Sequence, residues 1–274
     1  MPKLTIVTIN YNNLEGLKRT IDSVVNQTWT EFEYIVIDGG SSDGSKEIIE
    51  DYQNEIAYWV SEKDNGIYHA MNKGIKEATG EFVVFMNSGD IFYNETIIDS
   101  LVNQLKDTDE ILYGDVLLRN KKTNTERIQK HPEKLIFSYF YNQTLCQQAC
   151  LIKRSLFDSI FCFNENYKIS SDWEFLIYAI YIEKVHTRKI DLLISIYDTT
   201  GVSGNPDFRK IAAKERDQTI NTYFPLFKED YELLKSFSSY RFRQLKQIEK
   251  SIFFRKLISV IFRVIIVMLP NKHK

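Results

Sequence analysis

The N-terminal third of the chain alternates short apolar runs with segments of helical character, and this alternation limits the folds open to it. The apolar runs, each typical of a buried strand, are residues 4–9, 32–37, 57–61 and 81–86. The segments predicted to be helices are residues 14–25, 45–52 and 66–78. Strands and helices in alternation, joined by short loops, predict a mainly parallel sheet with helices on both faces.

The rest of the chain is less regular. The predicted strands are residues 111–118, 125–129 and 148–153, with a strand or strand pair at 185–196. Helices are expected at residues 172–182 and 207–224, and a flexible loop at 199–206. We therefore expect one α/β domain over residues 1–206, with halves at about 1–115 and 116–206, followed by a helical region over residues 207–274.

Polar residues follow the predicted strands. Asn10 and Tyr11 end the first strand, Asp38 the second, and residues 87–90 the fourth. In open α/β sheets ligands bind beyond the carboxyl ends of the strands, so the sequence predicts a binding site there. Each residue taken alone is equally well explained as a turn former or a helix cap.

The C-terminal tail is basic, although the whole chain has a net charge of −2. Residues 232–274 hold ten Lys or Arg and two Asp or Glu, a balance of +8, which leaves −10 for the remainder. Residues 251–269 are strongly apolar, and Lys256, Ser259 and Arg263 share one helical face. Charges in this run argue against a spanning helix and favour a basic amphipathic helix at a membrane surface, over about residues 251–270. Docking on the body of the protein or on a second subunit is the alternative.

Composition, cysteine content and the N-terminal sequence limit the class of protein further. The apolar fraction of 43% and the charged fraction of 26% are ordinary for a globular domain. Cys146, Cys150 and Cys162 form neither a zinc pattern nor an even disulfide framework, which favours a reducing compartment. The N-terminus shows no secretory signal, so we expect a cytoplasmic protein.

Asp90 follows the most apolar strand, beside Asn87 and Ser88. Oxygen ligands of this kind suit Mg²⁺ or Mn²⁺ that is shared with substrate phosphates. The chain has no Gly-x-x-x-x-Gly-Lys-Ser/Thr sequence and no Gly-x-Gly-x-x-Gly after its first strand. These absences argue against a Walker-type phosphate site and against NAD or FAD.

Several ordered motifs carry a family resemblance. They read Thr-Ile-Val-Thr-Ile-Asn-Tyr-Asn at 5–12, Ser-Val-Val-Asn-Gln-Thr at 23–28, Asp-Gly-Gly-Ser-Ser-Asp-Gly at 38–44, Ser-Glu-Lys-Asp-Asn-Gly-Ile-Tyr-His-Ala-Met-Asn-Lys-Gly at 61–74, Ala-Thr-Gly-Glu at 78–81 and Asn-Ser-Gly-Asp at 87–90. This series resembles family 2 glycosyltransferases, in particular a bacterial branch that builds surface polysaccharides. The resemblance covers roughly residues 3–200 and implies the GT-A fold, a Rossmann-like sheet flanked by helices, here with a C-terminal helical extension.

The resemblance implies a nucleotide-sugar site in the first half of the domain. Thr8 and Tyr11 lie at the base of the nucleotide, with the Tyr11 ring against it. Asp38 accepts a hydrogen bond from the base, typically from uracil N3–H, and Asp64 lines the nucleoside pocket. UDP is the favoured nucleotide, and dTDP would make the same contact with Asp38.

The resemblance also implies which residues lie near the diphosphate of the nucleotide sugar. Asn72 and Lys73 lie near the diphosphate or the donor sugar. Asn87, Ser88 and Asp90 occupy the family's Asp-x-Asp motif, with Asp90 as the carboxylate that contacts a divalent cation, Mg²⁺ or Mn²⁺. The chain departs from the family pattern with Gly89 in place of a common Asp, with His69 in place of another, and with Gln147-Gln148-Ala149 in place of a common His-Gln.

An acceptor hydroxyl is a weak nucleophile and needs a base within hydrogen-bond reach. Asp172, in Ser171-Asp172-Trp173-Glu174, matches the family's acceptor-activating base, and the resemblance implies inversion at the anomeric carbon. Asp172 could instead serve as an N-cap or as a first-turn acid stabilised by the helix dipole. Glu174 is the reserve candidate, and in a helix it would point to another face.

The sequence therefore predicts an inverting, metal-dependent transferase that moves a sugar from a nucleotide-sugar donor to a saccharide or lipid-linked saccharide. We expect it at the inner face of the cytoplasmic membrane, with no nucleic-acid partner. A nucleotidyltransferase is disfavoured, because its Gly-rich signature is missing after the first strand. A non-catalytic nucleotide-binding scaffold of a glycosyltransferase complex remains the alternative.

Overall fold

The computed structural model describes residues 2–141, 143–201, 208–237 and 239–268. The chain forms two compact units, Met1–Tyr223 and Phe224–Lys274. The first unit combines a sheet with helices, and the second is helical. Two predicted features fall partly outside the described residues: the loop after residue 201 and the end of the tail after residue 268.

Nine strands and ten α-helices occur in the described residues. The strands are β1 Leu4–Asn10, β2 Phe32–Asp38, β3 Tyr58–Ser61, β4 Phe82–Phe85, β5 Ile91–Phe92, β6 Ile111–Asn120, β7 Thr125–Gln129, β8 Cys150–Lys153 and β9 Thr187–Asp198. The helices are α1 Leu14–Val25, α2 Ser45–Asp51, α3 Ile67–Glu77, α4 Ile97–Val102, α5 Ser155–Ser159, α6 Ser171–Tyr181, α7 Phe208–Tyr223, α8 Lys228–Phe237, α9 Tyr240–Ile248 and α10 Ile252–Met268.

The strands form one mixed sheet in the order β3-β2-β1-β4-β8-β6-β9-β5, with β7 paired to β6. The first four strands of this order are parallel, as the alternating sequence predicts. β8 then runs antiparallel between β4 and β6, and β6 pairs in parallel with β9. The inserted β8 makes the second half of the sheet mixed.

The pairing of β1, β2 and β3 brings their carboxyl ends together. Asn10 is paired with Asp38, and Asp38 with Ser61. The polar residues that follow separate strands in the sequence therefore lie side by side at one edge of the sheet, as expected from its parallel order.

Helices cover both faces of this half of the sheet. Leu17 of α1 packs in one buried cluster with Ile6 of β1. The next residue, Val7, points to the opposite face, because side chains alternate along a strand. A Cβ atom on Gly74 of α3 would lie 2.4 Å from Cγ1 of Val7, so the close packing of α3 on β1 requires glycine.

The Thr79-Gly80 motif ties the start of β4 to β1 and β2. Glu33 accepts hydrogen bonds from the hydroxyl of Thr5 at 2.6 Å and from the backbone N–H of Thr79 at 2.7 Å. A Cβ atom on Gly80 would lie 2.6 Å from Oγ1 of Thr5 and 2.9 Å from the carbonyl carbon of Leu4. This motif therefore has a packing role in the fold.

Several elements differ from the sequence prediction. β5, α4 and α5 are additional short elements, and residues 147–149 form a helical turn ahead of β8. The predicted strand or strand pair at residues 185–196 is the single strand β9, Thr187–Asp198. The first compact unit also contains α7, which the sequence-based division placed in the C-terminal region.

The second unit consists of α8, α9 and α10 together with the helical turn Pro225–Phe227. Most apolar side chains of α10 are exposed, including Phe253 and Val267. Residues of α9 and α10, among them Phe242 and Phe262, line an open apolar groove. No helix in the described part of the chain has the length and apolar character needed to cross a bilayer.

Candidate nucleotide-sugar site

Asp38 is fully buried at the sheet edge and accepts four hydrogen bonds. Oδ1 accepts from Nδ2 of Asn10 at 2.8 Å and from the hydroxyl of Ser41 at 2.5 Å. Oδ2 accepts from the backbone N–H of Ser41 at 2.9 Å and from the hydroxyl of Ser61 at 2.6 Å. Burial alone would raise the pKa of Asp38, but these donors outweigh it and hold the pKa below the usual range. Because a carboxylate has about four acceptor positions, a ligand N–H would have to replace one of these donors.

Tyr11, Gly39 and Asp64 meet next to Asp38. Tyr11 is 67% exposed, so a planar group can stack against its ring. A Cβ atom on Gly39 would lie 3.2 Å from Cδ2 of Tyr11 and 3.3 Å from Oδ2 of Asp64. Glycine at position 39 thus keeps open the space between the aromatic ring and the carboxylate.

Asp64 joins the loop after β3 to α3. Its Oδ1 lies 2.7 Å from Nζ of Lys73 and 2.9 Å from Nδ1 of His69. Its Oδ2 is buried and has no hydrogen-bond partner among the described residues. Lys73 also pairs with Glu62 at 2.7 Å. The structure therefore brings Asp64 and Lys73 together beside Tyr11, and leaves one carboxylate oxygen of Asp64 available.

Two other predicted site residues, Thr8 and Asn72, make hydrogen bonds within the protein. The hydroxyl of Thr8 has no exposed surface; it donates to the backbone oxygen of Met86 at 2.8 Å and lies 3.0 Å from the hydroxyl of Tyr34. Asn72 uses its amide to hold a loop, through the backbone oxygen of Phe163 at 2.8 Å and the carboxylate of Glu165 at 2.9 Å. Contact of Thr8 or Asn72 with a ligand stays a prediction.

Residues 87–90 form a tight turn after β4. The backbone N–H of Asp90 donates to the oxygen of Asn87 at 2.9 Å, and Nδ2 of Asn13 donates to the backbone oxygen of Ser88 at 3.0 Å. Gly89 has a φ of 106°, a backbone conformation that L side chains rarely adopt. The departure from the family pattern at position 89 therefore has a conformational reason.

Asp90 points into the protein. Its Oδ2 accepts from Nε2 of Gln148 at 2.7 Å, and its Oδ1 accepts from the backbone N–H of Asp198 at 2.9 Å. Burial raises the pKa of Asp90 to about 7. Asp198 in turn pairs with Lys121 at 2.8 Å. The carboxylate thus joins the turn after β4 to the end of β9.

The donor set at this turn is compatible with a shared cation. No group of three or more His, Cys, Asp or Glu that could hold a metal occurs among the described residues. Mg²⁺, however, is usually bound by one or two carboxylates together with substrate phosphates and water. Asp90 supplies one carboxylate, and Oδ1 of Asn87 is buried without a hydrogen-bond partner in the described part of the chain. Oδ1 of Asn87 is thus open to a Mg²⁺ or Mn²⁺ ion completed by substrate phosphate. Asp90 would have to exchange one of its two hydrogen bonds for the ion.

Asp172 lies in the first turn of α6, across from α3. Its Oδ1 accepts a hydrogen bond of 2.9 Å from the hydroxyl of Tyr68. Burial raises the pKa of Asp172, and the hydrogen bond from Tyr68 partly opposes this rise. A carboxylate with a raised pKa is a stronger base than an ordinary aspartate, as proton abstraction requires.

Glu174 points away from this pair. It is 3% exposed, and its Oε1 accepts from the hydroxyl of Thr219 on α7 at 3.2 Å. Two residues two positions apart do not share a helix face, which is why Asp172 and Glu174 contact different helices. The structure therefore separates the reserve candidate from Tyr68 and α3.

Several residues of the site have no individual signal in the sequence. Gln148 and Asp198 contact Asp90, and Tyr68 contacts Asp172. His131 accepts the backbone N–H of Cys146 at 3.2 Å and thereby holds the segment that carries Gln148. Tyr68 and Gln148 fall in motifs that the sequence singles out, but nothing in the motifs assigns their contacts.

Comparison with known families gives the family of the chain. The sequence model of the family described as glycosyl transferase family 2 matches residues 5–161. An uncharacterized glycosyltransferase of Mycobacterium tuberculosis is 31% identical over 208 residues, which cover 74% of this chain and 78% of that protein. A PGL/p-HBAD biosynthesis glycosyltransferase of Mycobacterium bovis is 28% identical over 211 residues, with 74% and 80% covered.

Solved structures share the fold. S. aureus TarS 1–349 in complex with UDP superposes with a TM-score of 0.64 at 21% identity, covering 87% of this chain and 73% of that one. The mannosyltransferase PcManGT from Pyrobaculum calidifontis, in complex with GDP-Man and Mn²⁺, gives a TM-score of 0.63 at 15% identity, covering 96% and 80%. At these identities the likeness establishes the fold alone, and the GT-A fold expected from the sequence is confirmed.

Proposed function

Because this chain belongs to glycosyl transferase family 2, we propose that it transfers a sugar from a nucleotide-sugar donor to a saccharide or lipid-linked saccharide in surface polysaccharide synthesis. The observation that carries the proposal is the meeting of Tyr11, Asp38 and Asp64 at the edge where β1, β2 and β3 end. TarS, which has the same fold, was solved with UDP and with UDP-GlcNAc, and this supports a UDP-sugar as the donor.

The nucleoside would lie between Tyr11 and Asp64. The exposed Tyr11 ring offers a stacking face for the base. Asp38 would accept the imino N–H of uracil in exchange for one of its four present donors, and thymine would make the same contact. The free Oδ2 of Asp64 is an acceptor for a hydroxyl or N–H of the nucleoside.

The diphosphate would lie toward the turn at residues 87–90. Asp90 and Asn87 would hold a divalent cation there, with Ser88 beside them in the turn. Lys73, which pairs with Asp64 at 2.7 Å, would supply a positive charge from the nucleoside side of the site. When bound, Mg²⁺ or Mn²⁺ neutralises charge on the leaving diphosphate as a Lewis acid. The Mn²⁺ in the PcManGT complex supports the use of a divalent cation by this fold.

Asp172 would act as the general base. It removes the proton from the acceptor hydroxyl while the oxygen attacks the anomeric carbon on the side opposite the diphosphate, so the C–O bond to the acceptor forms as the bond to the diphosphate breaks. This displacement inverts the anomeric centre. The raised pKa of Asp172 and its half-buried position at the start of α6 support the assignment.

A non-catalytic scaffold that binds nucleotide is the second candidate. It is favoured by the state of Asp90, whose two carboxylate oxygens already accept hydrogen bonds from Gln148 and from the backbone of Asp198. Donor binding without turnover, over a panel of lipid-linked and free saccharide acceptors, would favour this candidate.

α10 would bring the enzyme to a lipid-linked acceptor at the inner face of the cytoplasmic membrane. Most of its apolar side chains are exposed, and Arg255, Lys256 and Arg263 supply positive charge. Co-sedimentation with anionic vesicles tests this idea with the full chain and a chain that lacks residues 251–274. The paired change Lys256→Glu and Arg263→Glu should weaken binding, whereas Lys122→Glu with Lys214→Glu serves as a matched control. Equal binding by all forms contradicts the proposal.

The central experiment is thermal unfolding with a panel of nucleotides and nucleotide sugars, each with and without Mn²⁺. A ligand that binds only the folded state raises the melting temperature. We expect a metal-dependent rise with UDP or dTDP compounds in the wild type, which Asp90→Ala removes and the exposed control Asp99→Ala keeps. A folded wild type that responds to no nucleotide contradicts the proposed function.

A further inference from the structure

Glu215 on α7 holds the backbone that leads into α6. Its side chain is buried, with 7% of the residue exposed. Its carboxylate accepts three successive backbone N–H groups: Lys168 at 2.6 Å, Ile169 at 3.1 Å and Ser170 at 2.9 Å. α6 begins at the next residue, Ser171, and Asp172 follows it. One carboxylate thus fixes the entry into the helix that carries the candidate base.

Two further residues of α7 contact the same helix. The guanidinium carbon of Arg216 lies 5.1 Å from the centre of the Trp173 ring. The hydroxyl of Thr219 lies 3.0 Å from the hydroxyl of Tyr167 and donates to Glu174 at 3.2 Å. The residues of α7 therefore contact the chain on both sides of Asp172.

Disturbing the contacts of Glu215 should both destabilise this segment and displace the proposed base, Asp172. In Glu215→Gln an NH2 group replaces one carboxylate oxygen, which leaves at least one of these three buried or partly buried N–H groups without its acceptor. Since Asp172 moves with the start of α6, a shift there changes the distance from its carboxylate to the acceptor hydroxyl. A misplacement of about 1 Å in such a group can cost about 100-fold in rate.

We propose that Glu215 and Arg216 are positioning residues for Asp172, so that α7 belongs to the machinery of sugar transfer. This inference rests on the proposed function. Glu215 fixes where the carboxylate of Asp172 lies. Arg216, which packs on the Trp173 ring, places a positive charge near that carboxylate. No contact of either residue with the donor or the acceptor is needed.

The ionisable groups around Asp172 define the expected pH effect. Tyr68 on α3 donates to it, and Arg216 on α7 packs on the neighbouring Trp173 ring and acts on it through its positive charge. The charge of Asp172 acts in turn on the thiols of Cys146 and Cys150. Burial raises the pKa of both thiols, so they are neutral at pH 7. The positive charge of Arg216 lowers the pKa of Asp172 against the effect of burial. Removing that charge should make Asp172 harder to ionise.

Steady-state kinetics of the full-length protein tests both roles. For Glu215→Gln we expect kcat to fall at least tenfold, while the UDP-induced rise in melting temperature and KM for the donor stay unchanged. Glu229→Gln on α8, which is exposed, removes the same charge and should leave kcat unchanged. A folded Glu215→Gln variant with the kcat of the wild type overturns the inference for Glu215.

The pH profile tests Arg216. In Arg216→Gln the acid limb of kcat/KM should move to higher pH, Arg216→Lys should largely restore it, and the exposed control Arg209→Gln should not move it. An unshifted limb in Arg216→Gln overturns the inference for Arg216. If the wild type binds UDP but transfers no sugar to any acceptor, both the proposed function and this inference are wrong. Unaffected variants of an active wild type contradict the inference alone.

Discussion

The hydroxyl of Tyr68 donates a hydrogen bond of 2.9 Å to Oδ1 of Asp172, and this bond joins α3 to α6 across 104 positions of the chain. α3 also carries Lys73, which pairs with Asp64 beside Tyr11. The candidate base is therefore linked, through one helix, to the pocket proposed for the nucleoside. Such a link would fix the distance between the proposed donor end and the proposed acceptor end of the site.

Asp172→Asn should abolish transfer and keep donor binding. The amide has nearly the same shape and can still accept from Tyr68, but it cannot take a proton from the acceptor. Loss of a general base typically costs about 10²- to 10⁴-fold in rate. Transfer is measured by release of UDP, and donor binding by calorimetry. A variant with full transfer activity would exclude Asp172 as the base.

Tyr68→Phe should move the acid limb of the pH–kcat/KM profile to higher pH. Asp172 must be ionised to act as a base, and its pKa is already raised by burial. The hydroxyl of Tyr68 stabilises the ionised form, so its removal raises the pKa of Asp172 further. Tyr58→Phe, at an exposed tyrosine of β3, is the control. An unchanged limb in Tyr68→Phe would mean that another group controls the profile.

Stability should fall at acid pH through His131. Burial lowers the pKa of His131, whose Nδ1 donates to the oxygen of Gly114 at 2.7 Å while Nε2 accepts from Cys146. The unfolded chain takes up this proton near pH 6.5, whereas the folded chain resists it. The stabilising contribution is therefore complete above about pH 6.5 and is lost as the pH falls below that value.

Urea unfolding at a series of pH values measures this effect. In His131→Gln the free energy of unfolding should be lower at pH 8 and should change less between pH 8 and pH 5. His186→Gln, at an exposed histidine, should retain the pH dependence of the wild type. An identical pH dependence in His131→Gln and the wild type would rule out this role.

Gly80→Ala should destabilise the first unit. The added Cβ would lie within 2.9 Å of atoms of Leu4 and Thr5, in the tight contact between β1 and the start of β4. Overpacking of this kind costs about 1–3 kcal/mol of the free energy of unfolding. Gly201→Ala is the matched control, because its Cβ would lie no closer than 3.7 Å to its nearest neighbour. Equal unfolding midpoints for the two variants would contradict the prediction.

The cluster of polar residues at the carboxyl ends of the parallel strands could be predicted from the sequence. The apolar runs locate the strands, and their alternation with helices predicts that they pair in parallel. Asp38 and Asn10 end separate apolar runs, and parallel pairing then brings them side by side. The short elements β5 and α4 could not be predicted in this way. They have two and six residues, too few for a periodic pattern to appear.

Contacts at the site were less predictable than their location. Gln148 reaches Asp90 from 58 positions away, out of a helical turn of three residues that carries no periodic signal. In the sequence, Glu215 is one of several charged residues of a polar helix and has no distinguishing pattern. Its three hydrogen bonds exist because α7 lies against residues 168–170 in the folded chain. Side-chain networks between distant segments depend on tertiary packing, which local patterns do not encode.

The contacts between α6 and α7 lie wholly beyond residue 161, where the family match stops. The residues proposed to bind the donor and the residue proposed to remove the proton thus lie in different stretches of the chain. If the proposal holds, substitutions in the second stretch would change the acceptor end of the site and leave the proposed nucleoside pocket unchanged. We expect the two helices to diverge as a pair, with replacements at Glu215 accompanied by changes just ahead of Ser171.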